Sequence, residues 1–337
     1  MRGEWRAALK RLIERELTAE IKEGEIEDIV EEVMEEKYLP LIRDSIKSSL
    51  KKAAFREGDG EEIVQEGGVS EEIDEEGKGR ALYLYGIVEG EAKELKIRGI
   101  EDNELRVVHF KDLSAIVHSC SPEPYQSQDR EVVRRWVERH QQVLDRAREE
   151  YPALAPVSFN TIFEEDGSAG GEEKIKGWLE DQYDSLKDQL EELRGREEYG
   201  VQIIYRPEPL TERIREESDQ VRQLGEKIKG KTSGQAYMYR QKLQKIVQEE
   251  REELLQDYRR KFLEEIEGVI EKREEEEVKK IEGEEEMLVN LSCLVEEGEV
   301  EKLGDRLEEI DKKEGFRVRF TGPWAPYSFT SLGDKED

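Results

Sequence analysis

Residues 82–88 read LYLYGIV, a short apolar and aromatic run ended by Glu89 and Gly90. That composition and length predict a buried β-strand. Two further strand candidates follow at 105–110 and 113–118, and the two residues between them, Lys111 and Asp112, suit a tight hairpin. Val132, Val133, Trp136, Val137, Val143 and Leu144 then recur at helical spacing over about 129–149. A strand at 155–159, a helix at about 172–193 and a strand at 199–205 come next, the last stopped by Pro207. Strands interleaved with amphipathic helices around one open sheet predict an α+β fold, with an N-terminal ferredoxin-like α/β sandwich over residues 80–207.

Beyond Pro209 the chain becomes charge-rich and helical, most continuously over 236–280. Leu243 and Leu254, like Val247, Tyr258 and Val269, are spaced by eleven residues, which suits a nearly straight or slightly right-handed, coiled-coil-like helix pair. So narrow a stripe implies packing along one side only. A strand at 287–295, a helix at about 300–313 and a strand at 316–321 complete a smaller C-terminal α/β unit over 208–330, followed by a tail at 331–337. On the N-terminal side, residues 1–56 read as a helical extension with Trp5, Leu9, Leu12, Ile13 and Leu17 on one stripe. Residues 57–79, with six glycines and ten acidic residues, read as a solvated linker.

The length of 337 residues suggests two domains plus appendages. A formal charge of -30 disfavours sequence-independent binding of nucleic acids or anionic lipid surfaces, although it leaves room for a local basic patch. The 55 Lys and Arg residues point to helix faces of mixed sign. Cys120 and Cys293 lie far apart, and no charged-then-apolar leader precedes them, so the expectation is a cytoplasmic protein without a disulfide framework. The longest dense apolar stretch, 287–295, contains Asn290 and Ser292 and is too short to span a membrane.

Several motifs invite chemistry. Residues 225–232, GEKIKGKT, match the phosphate-loop pattern letter for letter, with Lys231 and Thr232 in the phosphate and Mg²⁺ positions. A working loop follows a buried strand, yet 218–224 read as polar helix, so a flexible connector is the expectation. His118 and Cys120 share a strand face with His109 upstream, but a structural zinc site needs four ligands. His140 sits on the helix that carries Trp136, as an ordinary half-buried histidine would. The acidic runs 274–277 and 284–286 lack calcium-loop spacing and read as solvated faces. No catalytic, cofactor or metal residue is therefore assigned, and no enzyme is expected. Tyr237, Met238 and Tyr239, at the start of the long helix, form an adaptable candidate contact surface, with burial inside the domain an equal alternative.

Residues 321–329, TGPWAPYSF, leave the last strand as a stiff strap, because Pro323 and Pro326 fix their own backbone and extend Gly322 and Ala325. The strap carries three more candidate contacts, Trp324, Tyr327 and Phe329. Burial of each ring removes about 150–250 Å² from water, so physical chemistry alone favours a strap packed on its own domain. This ending resembles the terminal signature of the gas-vesicle GvpF/GvpL family. Matching features occur in the same order: YLYGIV at 83–88, LSAIV at 113–117, PVSFNTIF at 156–163 and Gly-x-Ala-Tyr at 234–237. The resemblance covers about 81–330. It departs at Ser158 and Asn160, where the family more usually has basic and glycine residues, and residues 1–79 have no counterpart in a typical member.

The resemblance implies an accessory or minor structural protein of gas-vesicle assembly, without catalysis or cofactor. Its implied partners are the small hydrophobic shell protein, of GvpA type, and other vesicle accessory proteins, and its implied location is the gas vesicle or cytoplasm. Two rival readings remain at the sequence level: a nucleotide-dependent assembly factor using GEKIKGKT, and a ferredoxin-like module that senses a small ligand.

Overall fold

The computed structural model describes residues 81–330 except 94, 128, 166–169, 230, 279, 280, 282 and 284. The expected N-terminal helices, the acidic linker and the C-terminal tail lie outside the described residues. Within them the chain is mixed α/β, with two antiparallel sheets and seven helices. It divides into a first unit ending at Arg194 and a second running Gly195–Phe329.

The first unit is organised around β1 (Ala81–Glu89), buried from Ala81 through Val88. The β2 (Leu105–Phe110) and β3 (Leu113–Cys120) strands form the expected hairpin, closing at the pair Phe110 and Leu113 with Lys111 at φ +52°. The sheet order is β2-β3-β1-β4, where β4 is Leu154–Pro156, and β5 (Ile162–Glu164) continues along the same edge of β1. Helix α1 (Arg130–Glu150) starts where Asp129 accepts a hydrogen bond from the Glu131 N–H at 2.9 Å. The predicted helix over 172–193 is two: α2 (Gly171–Asp181) and α3 (Tyr183–Leu193), parted at Gln182.

Adjacent residues of β1 show why it is apolar on both faces. Tyr83 reaches His140 on α1, whereas Leu82 lies against Gly171 at the start of α2, so helices cover both sides of the sheet. This corrects the expected ferredoxin-like sandwich for this unit. The strand order matches, with β3 lying between β1 and β2, but the connection from β1 to β2 holds only the 3₁₀ turn Ile100–Asp102 and no crossover helix.

The complete β-α-β-β-α-β order belongs to the second unit. Its strands are β6 (Arg196–Tyr205), β7 (Lys272–Glu275), β8 (Glu286–Glu296) and β9 (Phe316–Trp324), ordered β7-β8-β6-β9. Three helices, α4 (Pro207–Glu217), α5 (Asp219–Lys229) and α6 (Ser233–Glu267), join β6 to β7, and α7 (Val300–Asp311) joins β8 to β9. The boundary thus falls at 194/195 instead of 207. The strand expected to close the first sheet is the centre of the second, paired with β8 on one side and β9 on the other.

One face of this sheet, through Tyr199, Val201, Ile203, Val289, Leu291 and Cys293, packs on Phe262, Ile266, Leu303 and Leu307 of α6 and α7. A second apolar cluster joins Ile214, Val221 and Leu224 of α4 and α5 to Ile246 of α6, with Leu243 and Val247 against it. The eleven-residue stripe therefore packs along one side, its later members Tyr258 and Val269 against the sheet core. At about 1.5 Å per residue α6 is roughly 50 Å long. It ends at Gly268, so the predicted helix to 280 is too long: the charged Lys272–Glu275 segment pairs with β8, a polar edge strand that apolar patterning does not reveal. The exposed helix faces carry mixed-sign pairs as expected, among them Arg213–Glu217 at 3.1 Å and Lys312–Glu308 at 3.2 Å. No described helix is long and apolar enough to cross a membrane.

Candidate functional site

The strap is held by a carboxylate that the sequence does not announce. Glu198 of β6 is 1% exposed, and its side chain accepts hydrogen bonds from the Ser328 N–H and from Ser328 Oγ, both at 2.9 Å. Ser328 Oγ also lies 2.9 Å from Ser292 Oγ, and the Ser292 hydroxyl donates to Glu276 at 3.0 Å. The strap thus crosses the sheet face opposite the helices. Gly322 stands at φ +122°, with its following bond to Pro323 cis, and Tyr199 stacks on Phe320 with centroids 5.2 Å apart. Trp324 and Tyr327 are half-buried and Phe329 is buried; Trp324 Nε1 donates to Thr321 Oγ1 at 3.3 Å. Three of the six candidate contacts therefore sit in a strap fastened to its own unit. Ser328→Ala is expected to cost about 1–2 kcal/mol by removing the hydroxyl from a buried charge-assisted bond. Hydrogen exchange of the 286–296 strand in the full chain measures it; unchanged protection contradicts the latch.

The other three candidates lie at the start of α6. Tyr237 is 62% and Met238 73% exposed, and with Val278 they are the exposed large hydrophobic residues of the described chain. Tyr239 instead packs on the cluster of α4, α5 and α6, with Lys231 Nζ 5.5 Å from its ring centre. The group expected as one patch is thus split, two side chains outward and one inward.

GEKIKGKT does not have phosphate-loop geometry. Residues 225–229 lie inside α5, so their N–H groups belong to a helix, the Lys231 N–H bonds Ile228 O at 3.2 Å, and Thr232 is the residue before α6. The residues leading into the motif are helical, in α4 and in α5 itself, so no strand opens onto it.

The histidines separate as well. His109 bonds Ser114 Oγ at 2.9 Å, while His118 and His140 join Tyr83, Tyr85, Tyr125 and Phe159 in a buried aromatic cluster of the first unit. Tyr83 Oη and His140 Nδ1 are 2.9 Å apart, His118 Nε2 and Tyr125 Oη 3.0 Å, and the Ile100 N–H donates to Tyr85 Oη at 2.9 Å. Burial pushes His118 down to about 4, and burial with His118 nearby pushes His140 to about 3. The Cys120 thiol is pushed up to about 11 by burial. No group of three or more His, Cys, Asp or Glu among the described residues is placed to hold a metal ion. Asn160, one of the two departures from the usual motif, stands at φ +67°, a conformation that glycine and asparagine adopt with least cost, and its side chain bonds the Tyr125 backbone at both ends.

Comparison with known proteins agrees with this architecture. Residues 81–331 match the family described as "Gas vesicle synthesis protein GvpL/GvpF". The chain is 32% identical to gas vesicle protein L1 of Halobacterium salinarum over 73% of its own length and 89% of that protein. It is 29% identical to gas vesicle protein L of Haloferax mediterranei, over 68% of this chain and 72% of that one. The crystal structure of the gas vesicle protein GvpF from Anabaena shares the fold, with a TM-score of 0.60 and 19% identity, covering 74% of this chain and 98% of that one. On the family match over residues 81–331 and the 32% identity to gas vesicle protein L1, the chain belongs to the GvpL/GvpF family of gas vesicle proteins.

Proposed function

We propose that this protein is a non-enzymatic accessory or minor structural component of gas-vesicle assembly that binds the hydrophobic shell protein, of GvpA type, and other accessory proteins. Membership of the family supports a role in vesicle formation. The observation that carries the binding role is the exposure of Tyr237 and Met238 together at the start of a 35-residue helix, Val278 being the other exposed large hydrophobic among the described residues. Shell subunits expose apolar surface before they assemble, and a strongly charged protein with an aromatic contact limits their aggregation. Relatives named L, at 26–32% identity, are closer than relatives named F, at 22–23%, which supports a place on the L side. Co-expression of the shell protein with this chain should raise the shell protein's soluble fraction. An unchanged fraction counts against the proposal.

A further inference from the structure

The sign of the surface charge reverses where α5 gives way to α6. Residues 225–246 contain Lys227, Lys229, Lys231, Arg240, Lys242 and Lys245 against the single acidic residue Glu226, in a chain of net charge -30. Two of these cations have local partners: Lys229 with Glu226 at 2.8 Å and Lys245 with Glu249 at 3.4 Å. Lys227, Arg240 and Lys242 are exposed and make no ion pair among the described residues. Both outward-facing hydrophobic side chains stand among them. Met238, Lys242 and Lys245 follow one another at i, i+4 and i+7 on α6, and Tyr237 shares the neighbouring stripe with Arg240 and Gln241, whose amide donates to Tyr237 Oη at 3.2 Å. One turn past Lys245 the helix becomes acidic at Glu249, Glu250, Glu252 and Glu253.

We infer that the basic, aromatic end of the α5–α6 hairpin binds an acidic protein segment that also carries apolar side chains. Carboxylates of the segment meet Lys227, Arg240 and Lys242, and its apolar groups cover Tyr237 and Met238. This deepens the accessory reading, on which the existence of a protein partner rests. The basic stretch of α6, from its start to Lys245, extends only about 20 Å at 1.5 Å per residue. A nucleic-acid duplex or an anionic bilayer is a continuous anionic surface that would run on to the acidic turns and the rest of a strongly negative protein. A short peptide segment ends within the basic zone, so charge complementarity selects it.

Fluorescence anisotropy with the full chain tests this, the probe being a labelled amphipathic peptide of Glu and Leu about four helical turns long. Binding should weaken roughly tenfold in K227E/R240E/K242E and also in Tyr237→Ser/Met238→Ser, and only the charged contribution should fade with added salt. Both variants alter exposed side chains and should melt like the native chain. Absence of peptide binding by the native chain, or equal binding by the variants, overturns the inference. So does preferential capture of duplex DNA or phosphatidylserine vesicles through the same residues. Failure of the accessory reading itself would appear separately, as an unchanged soluble fraction of shell protein on co-expression.

Discussion

Gly322→Ala is expected to destabilise the second unit by about 3–5 kcal/mol, more than an ordinary single substitution. Gly322 has φ +122°, a region that L-residues rarely adopt. A Cβ there would also lie 2.9 Å from the Glu198 carbonyl oxygen and 2.9 Å from Tyr199 Cδ1. Neither neighbour gives way easily, because β6 is hydrogen-bonded on both sides. The strap would have to lift, and the bonds from Ser328 to Glu198 would go with it. Urea unfolding of the full chain, with hydrogen exchange across 196–205 and 316–324, measures the loss. Gly225→Ala is the matched control: it lies in α5 with nothing within 4 Å of its added Cβ, and should be neutral or stabilising by up to about 1 kcal/mol. If the two variants unfold alike, the strap is not the closure described.

The first unit should lose about 3–4 kcal/mol between pH 6.5 and 5, through two histidines. In the unfolded chain His118 and His140 titrate near 6.5, whereas in the fold they are held near 4 and 3 by burial. Across this interval the unfolded chain binds more protons than the folded one. Their stabilising contribution is therefore complete above about pH 6.5 and is lost as pH falls toward the folded values, at up to about 1.4 kcal/mol per pH unit for each imidazole. Glu89 and Asp112 are held below their ordinary range chiefly by bonds to Lys187, and so they matter only at lower pH, below the unfolded carboxylate values. The interval from 6.5 to 5 thus isolates the histidines. Urea midpoints across it, read by exchange of the 81–89 strand, should fall with a slope that His140→Leu reduces by about half. A flat native profile contradicts buried neutral imidazoles.

Much of the fold was legible because its signals are local. The run at 82–88, the two-residue turn at Lys111 and Asp112, and the helix capped at Asp129 all follow from neighbouring residues. What failed was non-local. The segment 199–205 looks like any buried strand, and nothing adjacent tells it which sheet to join; pairing with β8 and β9, some 80 to 120 residues later, decides that. Lys272–Glu275 escaped because an exposed edge strand lacks apolar residues. The sequence of the strap suits either a domain closure or a contact surface, and the structure fastens it to its own unit through Glu198, a lone Glu in an acidic chain that carries no mark of burial. Residue type alone leaves Tyr237, Met238 and Tyr239 open to exposure or burial, and the structure exposes the first two; the cations around them stand out only against the ion pairs of their neighbours.

Co-expression of the shell protein with the native chain and with Tyr237→Ser/Met238→Ser tests the account most directly. The native chain should raise the soluble fraction of shell protein, and the variant, melting like the native chain, should lose most of that effect. No rise with the native chain, or an equal rise with the variant, would contradict it.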